Sequence, residues 1–192
     1  MQGKHDLRIK KTNYAIKQAF WKLIIDHGIK NVTTKQIIET AHINRTTFYN
    51  HYANKAALLS KVEDDLIDQI NQEAKRIPLD ATLTSSPWQE YHKRIIRVLY
   101  ENGEYIKTLI DNDESQFLQK IIHQNRLSLR EMKVLDHITI PENYVIEGLF
   151  GLASTIIYEW VKSGYRETPD EFFTIFQKMI QPVLISNGII KK

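Results

Sequence analysis

The sequence predicts an all-α protein with about nine helices. Through most of the chain, apolar residues recur at steps of three and four, the spacing that places them on one face of a helix. Helix-start signatures, in which Ser or Thr stands three residues before Glu or Gln, also recur. No β-hairpin pattern and no internal repeat stands out. Periodicity and start signals therefore indicate the same fold class.

Two long helices are predicted within about the first 75 residues, on either side of a shorter segment. The first covers Leu7 to Ile25, because apolar residues form one stripe there and Gly28 follows as a stop. The second covers Lys55 to about Lys75, where apolar residues again keep to one side. The segment between them is too short for another long helix.

Two short helices fill that segment. One begins near Thr33, since Thr33 and Gln36 have the spacing of a capping box, and it ends near Ala41. The next covers Arg45 to Tyr52 and follows Asn44, a favoured N-cap residue. Two short helices joined by so brief a connection form a helix-turn-helix.

The C-terminal part is predicted to contain five helices. They are Pro87 to Glu101, Glu104 to Ile110, Asp113 to Leu135, Pro141 to Ser163 and Pro169 to Ile185. Two of these have strong start signals, Ser-Pro-Trp-Gln at 86–89 and Thr-Pro-Asp-Glu at 168–171. The glycines expected at helix C-termini are Gly103, Gly164 and Gly188.

The pattern favours two domains, a helix-turn-helix domain over residues 1–54 and a helical domain over residues 55–192. Pro78 to Pro87 is the segment most typical of a linker. Residues 1–55 hold ten Lys or Arg residues and three Asp or Glu residues, whereas the whole chain has a formal net charge of +3. Such asymmetry is typical of a protein whose one end meets phosphates, although a solvated basic face gives the same composition.

Composition excludes several classes of protein. Without Cys there is no disulfide framework and no thiolate chemistry. The longest apolar stretch, Val145 to Val161, contains Glu147 and Glu159 and is too short for a membrane span, so no membrane partner is expected. Met1 to Lys11 is basic but leads into an amphipathic segment, which is unlike a signal peptide. We expect a cytoplasmic protein.

The helix-turn-helix indicates which side chains meet DNA, because the second helix of such a unit enters the major groove. The candidates for reading bases are Arg45, Thr46, Thr47 and Asn50. Arg suits guanine, Asn suits adenine, and the Thr methyl suits the thymine methyl. The candidates for phosphate contact are Thr33, Thr34, Lys35, Tyr49, His51 and Lys55. Phe48 and Tyr52 are expected in the core.

The segment TTKQIIETAHINRTTFYNHYANKAALL at 33–59 resembles the DNA-binding signature of the tetracycline-repressor (TetR) family. The matching positions are the Thr pair at 33–34, Ile37, Ala41, Ile43, Thr-Phe-Tyr at 47–49, His51-Tyr52, Lys55 and Leu58. One departure is His42, at a turn position that is usually Gly in the family. His tolerates a positive φ better than most residues, so the motif is expected to persist. The resemblance implies a homodimer that binds a palindromic operator in double-stranded DNA.

The resemblance also implies that the last two long helices form the dimer interface and that the C-terminal region encloses an effector pocket. The apolar residues of these helices exceed what two helices normally cover within one protomer. They are Val145, Leu149, Leu152, Ile156, Trp160, Phe172, Phe173, Phe176, Met179, Val183 and Leu184. Gly148 and Gly151 would let two backbones approach closely. Gly inside a helix costs about 1 kcal/mol relative to Ala, which indicates a packing role.

Residues Tyr144 to Pro169 further resemble a C-terminal subgroup that includes regulators of dihydroxyacetone kinase genes. Some of its members act with a protein co-regulator instead of a small molecule. Two hypotheses therefore stand: a ligand-responsive repressor, and a DNA-bound activator whose C-terminal domain docks a protein. An all-α enzyme is a third, disfavoured because no nucleophile motif, phosphate-binding loop or metal-ligand spacing is found.

Candidate effector-binding residues are aromatic groups and a histidine of the C-terminal region. They are Trp88, Tyr91, Tyr100, Tyr105, Phe117 and His123. Any one of them has a core position as its alternative interpretation. Asp111, Asp113 and Glu114 resemble a cation site, but capping at a predicted helix start explains them better. We expect no metal, no cofactor and no catalytic residues.

Overall fold

A computed structural model describes residues 2–74, 86–123, 138 and 140–189, and side chains within 7–72, 89–123, 138 and 140–189. The regular elements in these ranges are all helical, which confirms the all-α prediction. They are α1 (Gln2–His27), a 3-10 turn (Ile29–Asn31), α2 (Thr34–Thr40), α3 (Arg45–His51), α4 (Lys55–Ala74), α5 (Ser86–Glu101), α6 (Gly103–Ile110), α7 (described over 117–123), α8 (Glu142–Lys162) and α9 (Pro169–Ser186). The predicted linker over 78–87 lies mostly outside the described residues.

Most predicted boundaries agree with these helices, but the start of α7 was wrong. The prediction began this helix at Asp113, whereas the structure begins it at residue 117. The Asn112 carboxamide oxygen accepts a hydrogen bond from the Glu114 backbone N–H at 3.0 Å, and the Ser115 N–H donates to the Asn112 carbonyl at 3.1 Å. Asn112 therefore forms a turn at this point instead of a helix cap.

Two of the three predicted C-terminal glycines are confirmed. Gly164 has φ 76° and Gly188 has φ 72°, and the residue after each donates its N–H to a carbonyl five residues earlier. This left-handed ending satisfies carbonyl groups that the helix leaves unpaired. The prediction for Gly103 was wrong, because this residue is the first of α6. The ring of Tyr165 lies 2.6 Å from the position a Gly103 Cβ would take, so close approach explains the glycine.

Internal contacts divide the chain into two compact units. The first contains residues 1–66 and 108–116, and the second contains residues 67–107 and 117–192. The division therefore falls inside α4 and inside α6. The predicted boundary between residues 54 and 55 does not coincide with this division, and it stays a prediction.

The first unit has a core built from one face of each of its helices. Its side chains with at most 1% exposure include Ile16, Phe20, Ile24, Ile29, Ile37, Phe48 and Leu58. They come from α1, the 3-10 turn, α2, α3 and α4, so each short helix contributes one buried anchor. An isolated helix of 7 residues, the length of α2 and of α3, is unstable in water, and burial of these anchors stabilises both helices.

The second unit has an aromatic core that the sequence analysis assigned differently. The rings of Trp160 and Phe172 stack with centroids 3.9 Å apart, and Phe173 and Phe176 are also buried within the chain. We expected the apolar side chains of α8 and α9 to have more surface than one protomer can bury. That expectation was wrong for Trp160, Phe172, Phe173 and Phe176, which are buried within the chain. A second cluster contains Val145, Ile146, Leu149 and Leu184. Within the described ranges no helix is both long and apolar enough to cross a membrane.

Candidate nucleic-acid interface

The two short helices start at well-formed caps. The Gln36 backbone N–H donates to Thr33 Oγ1 at 3.3 Å, and the Thr33 N–H donates back to Gln36 Oε1 at 2.8 Å. At α3, Asn44 Oδ1 accepts from the Thr47 N–H and from the Thr47 hydroxyl, both at 2.7 Å. Both predicted caps are confirmed, and they set where each helix begins.

Capping gives two predicted DNA-contact residues a local role. The Thr33 hydroxyl donates its hydrogen to Gln36 Oε1 at 2.7 Å, and the Thr47 hydroxyl donates to Asn44. A hydroxyl has one hydrogen, so in these conformations neither group has a donor left for a phosphate oxygen. Their contact with DNA stays a prediction.

The connection between α2 and α3 is the turn where His42 replaces the glycine usual in similar sequences. His42 has φ 52°, the left-handed conformation expected from the motif. Its N–H donates to the Glu39 carbonyl at 3.2 Å, and the Ile43 N–H donates to the Ile38 carbonyl at 3.2 Å. The turn thus closes with the hydrogen bonds of a normal helix ending although the residue is not Gly.

Helix α3 has one buried face and one exposed face. Phe48 has no exposed surface and Tyr52 has 7%, which confirms the prediction that both belong to the core. The opposite face carries exposed side chains, namely Arg45, Thr46, Tyr49 and Asn50. The guanidinium carbon of Arg45 lies 5.5 Å from the centre of the Tyr49 ring, a cation–π contact that holds the two groups side by side.

Helix α3 is tied to α1 through Tyr52. The Tyr52 hydroxyl donates a hydrogen bond to Asn13 Oδ1. Burial raises the pKa of Tyr52 to about 12, so the hydroxyl keeps its proton and remains a donor at neutral pH. On the neighbouring turn of α1, Lys17 pairs with Asp65 of α4. These contacts fix the orientation of the exposed face of α3.

Lys55, predicted to contact phosphate, is held by the protein itself in this structure. Its ammonium group donates to the Ile29 carbonyl at 2.8 Å and lies 3.4 Å from a carboxylate oxygen of Glu114. Lys30, which the sequence analysis did not single out, pairs with Asp113 at 3.0 Å. Both partners lie far away in the sequence, so no local pattern signals them.

Glu63 is a second residue that sequence reasoning missed. It is the only buried charged side chain among the described residues, with 1% of its surface exposed. Its Oε1 accepts from the Ser115 hydroxyl at 2.8 Å and from the Gln116 N–H at 2.9 Å. A buried carboxylate requires such donors, so Glu63 fixes residues 115–116 to α4.

The remaining DNA-contact candidates lie on the surface of the first unit. Lys35 is exposed and lies 3.8 Å from Glu39 in the next turn of α2, whereas Thr34 and His51 are half-buried. The exposed pair is weak and yields readily to a stronger anion. These side chains are therefore compatible with phosphate contact, which stays a prediction.

The effector candidates occupy different environments within the second unit. Phe117 is buried, His123 is exposed, and Tyr105 is half-buried. Burial raises the pKa of Tyr91 to about 12, and the Tyr100 ring stacks on Trp160 with centroids 6.1 Å apart. The side chain of Trp88 lies outside the described residues. Tyr100 thus has a packing role in the aromatic core, and the ligand role of these residues stays a prediction.

The acidic residues after α6 behave as structural groups. Asp113 and Glu114 pair with lysines of the first unit, as described above. Among the described residues no group of three or more His, Asp or Glu side chains is arranged to hold a metal ion.

Two family models match the chain. The model described as bacterial regulatory proteins of the tetR family matches residues 16–62, and that of a transcriptional regulator C-terminal region matches residues 86–182. The first match contains α2 and α3 entirely, and the second contains α5, α6 and α8. The matches therefore cover the helix-turn-helix and more than half of the chain.

Two curated relatives of this chain are HTH-type transcriptional regulators as well. YxbF of Bacillus subtilis strain 168, an uncharacterized HTH-type transcriptional regulator, is 23% identical over 145 residues, covering 68% of this chain and 37% of YxbF. DhaS of Lactococcus lactis subsp. lactis strain IL1403, an HTH-type dhaKLM operon transcriptional activator, is 28% identical over 113 residues, covering 57% of this chain and 56% of DhaS. The chain therefore spans between a third and just over half of the length of these relatives.

A solved structure shares the fold over nearly the whole chain. The TetR transcriptional regulator from Streptococcus agalactiae 2603V superposes with a TM-score of 0.72 at 22% identity, covering 94% of this chain and 99% of that one. Fold, helix-turn-helix geometry and family models agree: the chain belongs to the TetR family of bacterial regulatory proteins, whose members are transcription regulators and not enzymes.

Proposed function

We propose that this chain is a transcription regulator that binds a palindromic operator in double-stranded DNA as a homodimer. The observation that carries the proposal is the exposed face of α3, where Arg45, Thr46, Tyr49 and Asn50 lie opposite the buried Phe48. This face belongs to the second helix of a helix-turn-helix, the helix that enters the major groove. Residues 1–54 are the DNA-binding domain and residues 55–192 the dimerisation and effector domain.

The candidate DNA-contact side chains divide into base-reading and phosphate-binding groups. Arg45 donates to the acceptor pair of guanine, Asn50 pairs with adenine, and the Thr46 methyl contacts thymine. Lys35, Tyr49, His51 and Thr34 contact phosphates, which position the protein without reading sequence. Phosphate contact makes affinity fall with salt, with a slope near −0.9 for each neutralised phosphate. Chromosomal DNA as the partner implies a cytoplasmic location.

Base reading is tested by selecting bound duplexes from a random DNA pool, for the wild type and for Arg45→Ala. We expect a palindrome to be enriched by the wild type and one base pair per half-site to lose its preference in Arg45→Ala, because a bidentate pair discriminates by about 1–3 kcal/mol. Arg166→Ala is the matched control, since it removes an exposed Arg from the connection between α8 and α9. Unchanged preferences in Arg45→Ala contradict the assignment of α3 as the reading helix.

The homodimer is supported by the exposed sides of α8 and α9. On α8 a stripe at steps of four and three remains uncovered, formed by Tyr144, Gly148, Gly151, Thr155 and Tyr158. On α9, Ile175 and Met179 are 42% and 48% exposed. Outside the adjacent residues and the backbone of α8 itself, no described atom lies within 4 Å of a Cβ placed at Gly148 or Gly151, so packing among the described residues does not explain these glycines. Close approach of a second copy explains them.

The dimer is tested with the double variant Gly148→Ala, Gly151→Ala. Helix propensity alone predicts a more stable protomer, by up to about 1 kcal/mol for each site. A second backbone in contact with these sites predicts at least tenfold weaker dimerisation in sedimentation equilibrium. A stabilised protein with unchanged dimerisation contradicts this placement of the interface.

The sign of regulation has two candidates. A ligand-responsive repressor uses an effector that favours one of two spacings of the DNA-reading helices, so that ligand binding lowers operator affinity. An activator that docks a protein co-regulator is favoured by one observation, the similarity to DhaS, which is named an activator. Transcription from a promoter carrying the selected operator, with and without the chain, distinguishes the two by a fall or a rise.

A further inference from the structure

In the turn between α6 and α7, two carboxylates form ion pairs with lysines of the same compact unit. We call residues 111–116 the acidic turn. Asp113 Oδ2 lies 3.0 Å from Lys30 Nζ, and Glu114 Oε2 lies 3.4 Å from Lys55 Nζ. The Asp113 hydrogen bond, followed by its charge, raises the pKa of Lys30 above its usual value. The acidic turn therefore neutralises two cations of the unit that carries the helix-turn-helix.

The acidic turn has a defined position because buried and local hydrogen bonds fix it. Glu63, 1% exposed, accepts from the Ser115 hydroxyl and the Gln116 N–H. Asn112 accepts from the Glu114 N–H at 3.0 Å. Asp113 and Glu114 are themselves exposed, so the anchor is buried and the two carboxylates face solvent.

Both lysines stand beside the helices that face DNA in the proposed complex. Lys30 lies in the 3-10 turn before the cap of α2, and Lys55 is the first residue of α4, just after α3 ends at His51. A phosphate backbone attracts both ammonium groups, and each then has to leave its carboxylate.

Resting on the proposed DNA-binding function, we propose that the acidic turn is a built-in competitor of DNA. Asp113 and Glu114 hold Lys30 and Lys55 in the free protein, and operator phosphates replace these carboxylates in the complex.

The size of the effect follows from the exposure of the pairs. Exposed ion pairs contribute little, so removal of one carboxylate is expected to tighten DNA binding by about two- to fivefold at low salt. The salt slope should steepen by up to about 0.9 for each lysine released to a phosphate. Screening should shrink the gain as salt rises.

The test is a double-mutant cycle of Glu114→Gln and Lys55→Met, measured by fluorescence anisotropy on a labelled duplex of random sequence. Phosphate contact is independent of sequence, so this probe is sufficient. Asp26→Asn with Glu101→Gln is the matched control for Asp113→Asn with Glu114→Gln. Both control residues are exposed, and neither makes an ion pair within the described residues. Far-UV circular dichroism verifies that each variant folds, and a parallel cycle of Asp113→Asn with Lys30→Met provides an independent test.

We expect Glu114→Gln to tighten binding in the wild-type background and to have no effect once Lys55 is Met. A gain that persists in Lys55→Met, or that the control variant reproduces, means that Glu114 acts only through net charge and overturns the proposal. If Lys55→Met weakens binding but Glu114→Gln leaves the affinity unchanged, the acidic turn does not compete with DNA. The proposed DNA-binding function is then still supported. If the wild type fails to bind the duplex in a salt-dependent way, the proposed function itself is overturned.

Discussion

The helix-turn-helix and the pair α8 and α9 use the same local devices for different purposes. Each region contains one capping box, formed by Thr33 with Gln36 at the start of α2 and by Thr168 with Glu171 at the start of α9. In the first region two seven-residue helices bury one anchor each and expose polar groups. In the second, helices of 21 and 18 residues bury an aromatic cluster and expose an apolar stripe.

The contrast shows how exposed side chains reveal different partners. Phosphates and base edges are polar, so a surface that meets DNA can remain solvated until it binds. Exposure of an apolar stripe to water costs free energy, and packing against a second protein surface removes that cost. The stripe on α8 also contains two glycines that packing among the described residues does not explain. The two regions therefore differ in the polarity of their exposed faces. The face of α3 stays solvated at little cost, whereas the face of α8 and α9 is stabilised when another protein surface covers it.

The largest effects are expected from the buried anchors of the two regions. Phe48→Ala and Phe172→Ala should each lower the free energy of unfolding by about 3–5 kcal/mol, because each leaves a cavity in a packed core. Urea denaturation followed by circular dichroism measures the loss. Ile175→Ala, at a 42% exposed position of α9, should cost less than about 1 kcal/mol in the monomeric protein, because only the proposed second copy covers that face. A loss as large as that of Phe172→Ala in the monomer breaks the contrast by showing that the chain itself buries this face.

A somewhat smaller effect is expected for the buried carboxylate of α4. Glu63→Ala removes the acceptor of the Ser115 hydroxyl and the Gln116 N–H and should lower the free energy of unfolding by about 2–3 kcal/mol. Asp68→Ala, an exposed acidic position on the same helix, is the matched control. Equal losses in the two variants contradict the anchoring role of Glu63.

The two capping boxes provide a direct comparison of the regions. Thr33→Ala and Thr168→Ala should each cost about 1 kcal/mol, because each removes the acceptor for a backbone N–H in the first turn. Amide hydrogen exchange should then rise along all of α2 but only in the first turn of α9, since a seven-residue helix lacks the length to hold its remainder. A confined response in α2 shows that its core contact dominates over its cap.

The smallest effect is expected at the turn of the helix-turn-helix. His42→Gly should raise the free energy of unfolding by up to about 1 kcal/mol, because Gly adopts the left-handed conformation without steric strain. His42→Ala, which lacks that freedom, should not stabilise. Thermal unfolding distinguishes them, and destabilisation by Gly means that the His42 side chain contributes contacts that outweigh its strain.

The sequence by itself determined what depends on neighbours within a few residues. The caps at Thr33, Asn44 and Thr168 and the turn at His42 agree with the structure because their hydrogen bonds join residues at most five apart. The burial of Phe48 follows equally from helical period. The family signature at 33–59 provided the expected chemistry of α3, whose individual DNA contacts stay predictions.

Only the tertiary structure decided which distant groups meet. The Lys55 ammonium pairs with Glu114, Glu63 is buried beneath Ser115, and α7 begins at residue 117 because Asn112 turns the chain. The ring of Trp160 stacks on Phe172 inside the chain, although the period of α8 and α9 is equally consistent with an interface. Helical period specifies a face but not the surface that covers it, and charge pairing depends on distances in space that local sequence does not contain.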